Sequence, residues 1–472
     1  MPGVFLLENA TTIRSEIEKE LKLGGYTFNS FGQATGLNRG IFSAMLNGNP
    51  PKPISVRQMD LITKAFNYPE GWLYDLYVDE CFYDGRPHWK RVKPFLIRCV
   101  EVGNLRCVEK VLSRLMEDLN HIPTIFALAE ELYEGGKLQE AIPFYECVIE
   151  NEKYQHSERL AISHYKLFRA KVGENTELNL KAAIRFEPFR FRLPECHQLD
   201  GLLQLTNIYS SLHKWQETIT HSDELWEQSK IIYEEEKKRR ARKNRNYVPI
   251  KTERHLVVYY GQGLLMKAYA LQKIGDYENA KKIVAEYADL SWFEGLNTVG
   301  KREVEKFKVW SMGNSYTLDL LLGDTSVLPQ YVNLLENNND EILPGLVNIL
   351  ESANRNFFSV DSILDRFIQY IDIFRNTQDV IIMDDYYNFN FQLAIYYRRN
   401  KRYKDAINAN LQCIQISFFL KNVESFAQSM VLFENNRALC DEGQIEIYKS
   451  IIKEVCKDEE GFTFTFAFSN SS

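Results

Sequence analysis

The sequence predicts an all-α fold, and three observations support this. Apolar residues recur three or four positions apart along nearly the whole chain, which is the spacing of one face of a helix. Short turns with Gly or Asn separate these stretches. A template of about 34 residues also recurs along the chain, and such a period is typical of stacked helical pairs.

The size and charge of the chain limit the classes of function. At 472 residues, 45% of them apolar, it is long enough for more than one domain with a buried core. The formal net charge of −7 excludes a protein that coats nucleic acid with a basic surface, so any DNA contact must be local. Residues 1–69 carry a small positive net charge. They contain seven basic side chains and five acidic ones: Arg14, Lys19, Lys22, Arg39, Lys52, Arg57 and Lys64 against Glu8, Glu16, Glu18, Glu20 and Asp60.

The N-terminal region is predicted to contain five short helices. Ile13, Ile17 and Leu21 step by four and predict a first helix, which Gly24 and Gly25 end. Two further helices follow between residues 28 and 46. After a proline-rich turn, Ser55 and Gln58 form a capping box that opens a fourth helix. A fifth helix begins in NYPEGWLYDLY (67–77).

The second and third of these helices are joined by a tight turn. Gly36 suits a left-handed turn position because it has no Cβ, and Asn38 stands where an N-cap belongs. The helix that Asn38 opens carries Arg39, Gly40 and Ser43 on its outer side. The apolar residues at helical spacing in this stretch are Phe31, Ala34, Leu37, Ile41, Phe42, Met45 and Leu46.

This pattern, with GLNRGIFSAMLNG (36–48) at its centre, resembles the Cro/repressor-type helix-turn-helix fold. The resemblance implies a DNA-binding domain over residues 1–75, whose third helix enters the major groove. Arg39 is the best candidate for base readout, because a guanidinium can bond both acceptors on a guanine edge. The implied DNA contacts are Asn38, Arg39, Gly40 and Ser43 near the bases and Asn47, Lys52 and Arg57 near the phosphates.

Two positions depart from this pattern. Gly32 lies in the middle of the second helix, where Gly costs about 1 kcal/mol relative to Ala. Gly40 leaves one reading side chain missing. The alternative interpretation is a small helical bundle that acts as a docking cap.

Four copies of the recurring template are recognisable, at residues 122–155, 199–232, 261–294 and 387–420. The third, through KAYALQKIGDYENA (267–280), fits best. These copies resemble tetratricopeptide repeats, in which each helical pair buries its apolar face against a neighbouring pair. The resemblance implies a right-handed superhelix of tetratricopeptide-like hairpins over residues 76–457, with a concave inner wall.

The inner wall is expected to bind an extended peptide. Amide side chains suit this task because Asn or Gln can bond both the N–H and the C=O of a peptide backbone. The alternative is that these positions are ordinary surface or inter-helix residues. The residues that the repeat pattern places on the wall are Phe126, Glu130, Asn207, Gln262, Leu265, Tyr269, Asn388, Phe391 and Arg398, and all but the first two are predicted peptide contacts.

A Cro-like head followed by such repeats resembles the Gram-positive peptide-pheromone receptors, the RRNPP group, and the related phage arbitrium receptors. The resemblance implies a transcription regulator of the quorum-sensing type, in which a short signalling peptide alters binding of a homodimer to double-stranded operator DNA. The alternative is a repeat scaffold that binds and inhibits a partner protein such as a response regulator, without specific DNA binding.

Enzymatic chemistry is not expected. No phosphate loop, HExxH or dinucleotide fingerprint occurs, and neither a metal nor another cofactor is predicted. The eight cysteines lack a C-x-x-C pair and are interpreted as reduced, mostly buried thiols. The first ten residues lack a signal-peptide pattern, so we expect a cytoplasmic protein without a membrane segment.

Two further segments have unusual composition. KKRRARKNR (237–245) is interpreted as a solvated helix end and loop, with a second nucleic-acid contact as the alternative. In the C-terminal tail, 458–472, the stretch GFTFTFAFSNSS (461–472) alternates Phe with small polar residues like a strand, and it is predicted to be disordered or to pack on a groove or a second subunit.

Overall fold

The fold is all-α, as the sequence predicts. The computed structural model describes residues 11–83, 85–154, 156–173, 176–241, 249–375, 379–420 and 422–458. The predicted tail, apart from residue 458, and positions 242–245 of the basic stretch lie outside these residues. The chain divides into two compact units, Met1–Ile208 and Tyr209–Ser472. Within the described ranges, no helix combines the length and the apolar character needed to cross a membrane.

The first unit contains short helices followed by helical pairs. A small antiparallel ribbon, β1 (Phe82–Tyr83) and β2 (Arg86–Pro87), separates the first five helices from the rest. The helices are α1 (Ile13–Leu23), α2 (Phe28–Thr35), α3 (Arg39–Leu46), α4 (Val56–Ala65), α5 (Tyr74–Tyr77), α6 (Trp89–Glu101), α7 (Leu105–Leu115), α8 (Ile122–Glu134), α9 (Leu138–Asn151), α10 (Glu158–Lys171), α11 (Thr176–Phe186) and α12 (Glu195–Ser211), whose last turn crosses the unit boundary.

In the second unit, successive helices pack on near neighbours in the chain, for example α13 on α14, α16 on α18 and α21 on α22. Its helices are α13 (Trp215–Ala241), α14 (Leu256–Lys273), α15 (Tyr277–Tyr287), α16 (Thr298–Leu321), α17 (Leu328–Glu336), α18 (Ile342–Asn356), α19 (Asp361–Arg366), α20 (Ile368–Phe374), α21 (Val380–Arg399), α22 (Tyr403–Phe419), α23 (Val423–Glu434) and α24 (Glu442–Asp458).

The predicted local signals of the N-terminal helices are confirmed. Gly36 adopts the left-handed conformation with φ 71°. The Asn38 side chain caps α3 by accepting a hydrogen bond from the Gly40 N–H at 2.8 Å. Ser55 and Gln58 form the capping box at the start of α4.

An aromatic cluster centred on Phe31 joins α2, α3 and α4. Phe31 is fully buried. Its ring centroid lies 5.2 Å from that of Phe42 and 4.5 Å from that of Phe66. Each such ring pair adds roughly 0.5–1.5 kcal/mol beyond the area that it buries. The three helices are therefore fixed against one another by one side chain.

Gly32 has a steric role in this arrangement. A Cβ built at position 32 would lie 2.8 Å from the carbonyl oxygen of Leu37, closer than real Cβ contacts. The backbone of α2 thus approaches the turn before α3 so closely that only Gly fits. The low helix propensity of Gly32 in α2 is therefore explained by this close backbone contact.

The buried residues of α1–α5 are continuous with those of the helical pairs that follow. One apolar cluster runs from Ile13 through Tyr77 and Phe95 to Val148 and Leu167. The predicted domain boundary near residue 75 lies within α5, and residues on both sides of it belong to this cluster.

All four predicted template copies are pairs of helices joined by three-residue turns. The middle residue of each turn has positive φ, at Gly136, His213, Gly275 and Lys401. In each turn the next backbone N–H donates to a carbonyl five residues earlier, at 2.8–2.9 Å. This geometry satisfies helix-end carbonyls while it reverses the chain.

The same turn also closes a pair that the sequence template does not include. Gly103, with φ 72°, lies between α6 and α7, and the Asn104 N–H donates to the Cys99 carbonyl at 2.8 Å. Gly323 occupies the equivalent position after α16. All seven cysteines whose side chains are described have free thiols, and five of these residues are buried.

Gly32→Ala is expected to destabilise the protein by about 1–3 kcal/mol, since the clash with the Leu37 carbonyl outweighs the helix-propensity gain of about 1 kcal/mol. Gly40→Ala is the matched control, because its Cβ would meet only the Asn38 side chain, at 3.3 Å. Thermal unfolding followed by circular dichroism measures both. A melting temperature for Gly32→Ala at or above that of the wild type would contradict the steric role.

Lys401→Gly is expected to stabilise the second unit by about 0.5–1 kcal/mol, because a non-glycine residue at φ 60° carries a steric cost that Gly avoids. Gly275→Ala, at the same position of another pair, should destabilise by a similar amount. Urea unfolding curves compare the two variants with the wild type. A shift of both midpoints in the same direction would argue against the turn as the cause.

Candidate nucleic-acid and peptide interfaces

The turn between α2 and α3 is held by local hydrogen bonds. The Thr35 hydroxyl donates to the Phe31 carbonyl at 2.9 Å and accepts from the Leu37 N–H at 3.2 Å. With the Asn38 cap, these bonds fix the direction in which α3 leaves the turn. The first turn of α3 is therefore presented on a rigid support.

All seven predicted DNA-contact residues are exposed: Asn38, Arg39, Gly40, Ser43, Asn47, Lys52 and Arg57. The side chains of Arg39, Lys52 and Arg57 make no ion pair with any residue that the structure describes. These three cations are thus available to an external anion. No acidic residue occurs between positions 21 and 59 to neutralise them locally.

Arg14 positions the far end of α3. Its guanidinium donates from Nε to the Met45 carbonyl at 3.0 Å, close to the C-terminus of α3, and it forms an ion pair with Glu80. It also reaches the Lys52 carbonyl at 3.4 Å. A cation is favourable there because helix carbonyls carry partial negative charge. One side chain of α1 thereby fixes both α3 and the loop after it.

The second unit contains a cavity of about 290 Å³ between α14, α16, α17 and α18. Leu265, Val309 and Leu334 contribute to its apolar lining. Amide side chains of Gln262, Gln272, Asn314 and Asn348 are interspersed with the rings of Tyr269, Trp310 and Tyr331. Ligand sites have this character, with apolar walls and a few fixed polar groups.

Several of these polar groups are held in place. The Asn314 amide donates to the Tyr287 hydroxyl at 2.8 Å, and the Tyr331 and Thr317 hydroxyls lie 3.0 Å apart. Gln272 differs from them. It is only 8% exposed, it lines the cavity, and its side-chain amide has no hydrogen-bond partner among the described residues. Its amide atoms are not among the fully buried, unpartnered polar atoms, so they are open to the cavity, where a ligand can bond to them.

Three of the seven predicted peptide-contact residues, Gln262, Leu265 and Tyr269, line this cavity. The other four lie elsewhere. Asn207 is exposed in the first unit, and Asn388 and Arg398 are exposed on α21, where the Asn388 amide donates to the Asp384 carbonyl at 3.0 Å. Phe391 packs against the apolar cluster of α17–α22. For all seven residues, contact with a peptide stays a prediction.

The opposite wall of the cavity was not predicted. It comes from α16, α17, α18 and the short turn Asn339–Glu341 before α18, none of which the four template copies cover. The residues concerned include Trp310, Asn314, Glu341 and Asn348. The sequence did contain one indication of a further helical pair here. Gly323 follows α16 at the position that Gly136 and Gly275 occupy in the turns of the template copies.

Glu341 is the only acidic side chain among the described lining residues, and none of them is Lys, Arg or His. Its Oε1 accepts a hydrogen bond from the Trp310 Nε1–H at 2.9 Å. Burial raises the pKa of Glu341, and this hydrogen bond partly opposes the rise. On α21, burial together with the charges of Asp384 and Glu341 raises the pKa of Asp385 to about 6. Both shifts mean that burial disfavours the ionised form of these two carboxyls.

Comparison with known proteins adds no assignment. No protein-family model matches the chain, and no curated protein matches it.

Asp385→Asn is expected to stabilise the protein by about 1–2 kcal/mol at pH 7.5, after allowance for solvent screening. The pKa of this carboxyl is raised in the folded state, so its ionised form is disfavoured there, and stability falls as pH rises from about 4 to 6. Asn cannot ionise and avoids this cost, so the gain in the free energy of unfolding should vanish near pH 4. Chemical unfolding at pH 7.5 and at pH 4 measures the gain, with Asp365→Asn at an exposed position as the control. An equal gain at both pH values would refute the electrostatic cause.

Proposed function

We propose that this protein is a cytoplasmic, dimeric transcription regulator. Its N-terminal helices act as a helix-turn-helix that binds operator DNA, and its helical pairs form a tetratricopeptide-like superhelix that binds a short signalling peptide. The observation that carries this proposal is the exposed Arg39 at the capped start of α3, which makes no ion pair with the described residues and lies on a face without acidic residues.

The chemistry of α3 suits DNA. A guanidinium at the first helical position can reach a guanine edge in the major groove and donate to both of its acceptors. Lys52 and Arg57 lie in and just after the following loop, where their cations would neutralise phosphates. Because the net charge of the chain is −7, binding is confined to this local surface.

The cavity of the second unit suits part of a peptide. Its volume, about 290 Å³, is at the lower end of ligand sites and accommodates about one or two side chains. Gln262 and Gln272 offer both a donor and an acceptor to a peptide backbone. The cavity would thus anchor one portion of a longer peptide.

Peptide and DNA binding are linked through the dimer. Two heads read a palindromic operator when their α3 helices lie about 34 Å apart, one turn of DNA. A peptide alters operator binding only if its affinity differs between the dimer arrangements that allow and prevent this spacing.

The deciding experiment is a DNA-shift titration of the full-length dimer, with fragments from its own gene neighbourhood at roughly 150 mM salt. Arg39→Ala is expected to reduce specific affinity by about 10- to 100-fold, because it removes a bidentate contact to a base. Lys52→Ala should weaken specific and non-specific binding alike. It should also reduce the slope of log affinity against log salt concentration by about one, since one phosphate contact is lost.

Arg106→Ala is the matched control, since Arg106 is an exposed arginine of the same unit that does not belong to α3. It should leave the shift unchanged. If the wild type gives no specific shift with any fragment, DNA binding is refuted. The protein-binding scaffold, which needs no specific DNA contact, then becomes the better interpretation.

A further inference from the structure

We propose that the cavity between α14 and α16–α18 selects a peptide carrying a basic side chain, Lys or Arg, whose charged group pairs with Glu341. This inference rests on the peptide-binding half of the proposed function. It adds the chemical class of the anchoring residue and the side chain that recognises it.

The first argument is the charge of the lining. Glu341 contributes the only formal charge among the described residues that line the cavity. A carboxylate that is partly withdrawn from water loses solvation free energy. A cation that donates hydrogen bonds to it compensates this loss. An acidic ligand would meet only repulsion there.

The second argument is the hydrogen bonding of Glu341. One carboxylate oxygen, Oε1, accepts from the Trp310 indole, which fixes the orientation of the group. The other oxygen, Oε2, has no hydrogen-bond partner in the described part of the chain. A carboxylate with one oxygen held and one open can receive an ammonium or guanidinium N–H without rearrangement.

The third argument is the apolar part of the lining. Lys and Arg carry three or four methylene groups below their charge, and these favour an apolar environment when the charge is satisfied. Leu265, Val309 and Leu334 provide such surface, and Trp310 adds an aromatic ring. The volume of about 290 Å³ fits one long side chain and an adjacent portion of backbone.

Gln272 supplies a second polar group for a ligand. The residue is mostly buried and lines the cavity, and its side-chain amide has no hydrogen-bond partner among the described residues. The carbonyl and NH₂ of this amide can bond the peptide backbone next to the basic residue. The lining therefore provides one charged group and at least one neutral hydrogen-bonding group for a bound peptide.

The test uses the full-length protein and a mixture of synthetic hexapeptides randomised at every position. Peptides that stay bound through size-exclusion chromatography are sequenced by mass spectrometry. The wild type should enrich Lys or Arg about tenfold at one position, the effect of one well-formed charge pair. Glu341→Gln should lose this enrichment, and Glu341→Lys should select Asp or Glu instead.

Asp340→Asn is the matched control, because Asp340 is the exposed neighbour of Glu341 and does not line the cavity. It removes the same charge and should keep the enrichment. Gly313→Leu tests the location. A Cβ at position 313 meets no atom closer than 3.7 Å, so a larger side chain is expected to fill the cavity and abolish retention. Melting temperatures confirm that each variant is folded.

Retained peptides without Lys or Arg enrichment, or enrichment that persists in Glu341→Gln, would overturn this inference and leave peptide binding intact. Retention of no hexapeptide by the wild type would overturn both the inference and the peptide-binding half of the proposed function.

Discussion

Reversal of the chain in three residues is the constraint on which the helical pairs depend. Each such turn places its middle residue at positive φ and returns one N–H to a carbonyl five residues earlier. In α8–α9, α14–α15 and α21–α22, the two helices joined in this way pack on each other. In helical repeats, the apolar face of one such pair is covered by the next element. The packing of α13 on α14 and of α16 on α18 follows from this need, and the cavity lies where α14 meets α16–α18.

The two candidate interfaces have opposite electrostatics, and each is consistent with its proposed ligand. On α3 and in the loop after it, the cations are exposed and make no ion pair with the described residues, in a chain that is acidic as a whole. Among the described residues that line the cavity, one carboxylate lies between amides, aromatic rings and apolar side chains. The first arrangement favours a polyanion at the surface, whereas the second favours a small cationic group removed from water.

Local signals in the sequence predicted local structure. Gly36, Asn38 and the Ser55–Gln58 capping box could be read directly, because turns and helix caps depend on a few neighbouring residues. The role of Gly32 could not be predicted from the sequence, because its backbone approaches the Leu37 carbonyl only when α2 and the following turn are folded together. Gln262, which the repeat period placed among the peptide contacts, lines the cavity. Glu341 was not predicted, because packing between distant segments decides which helix faces α14.

The apolar cluster shared by α1–α5 and the first helical pairs has a consequence for how such proteins diversify. Tyr74 and Tyr77 lie in one core with Phe95 and Cys99, so a recombination event near residue 75 would separate partners that are buried together. An N-terminal segment taken from another protein would not match this buried surface. Substitutions on the exposed face of α3 leave the shared core intact, so this face can change while α1–α5 and the first helical pairs remain one folded unit.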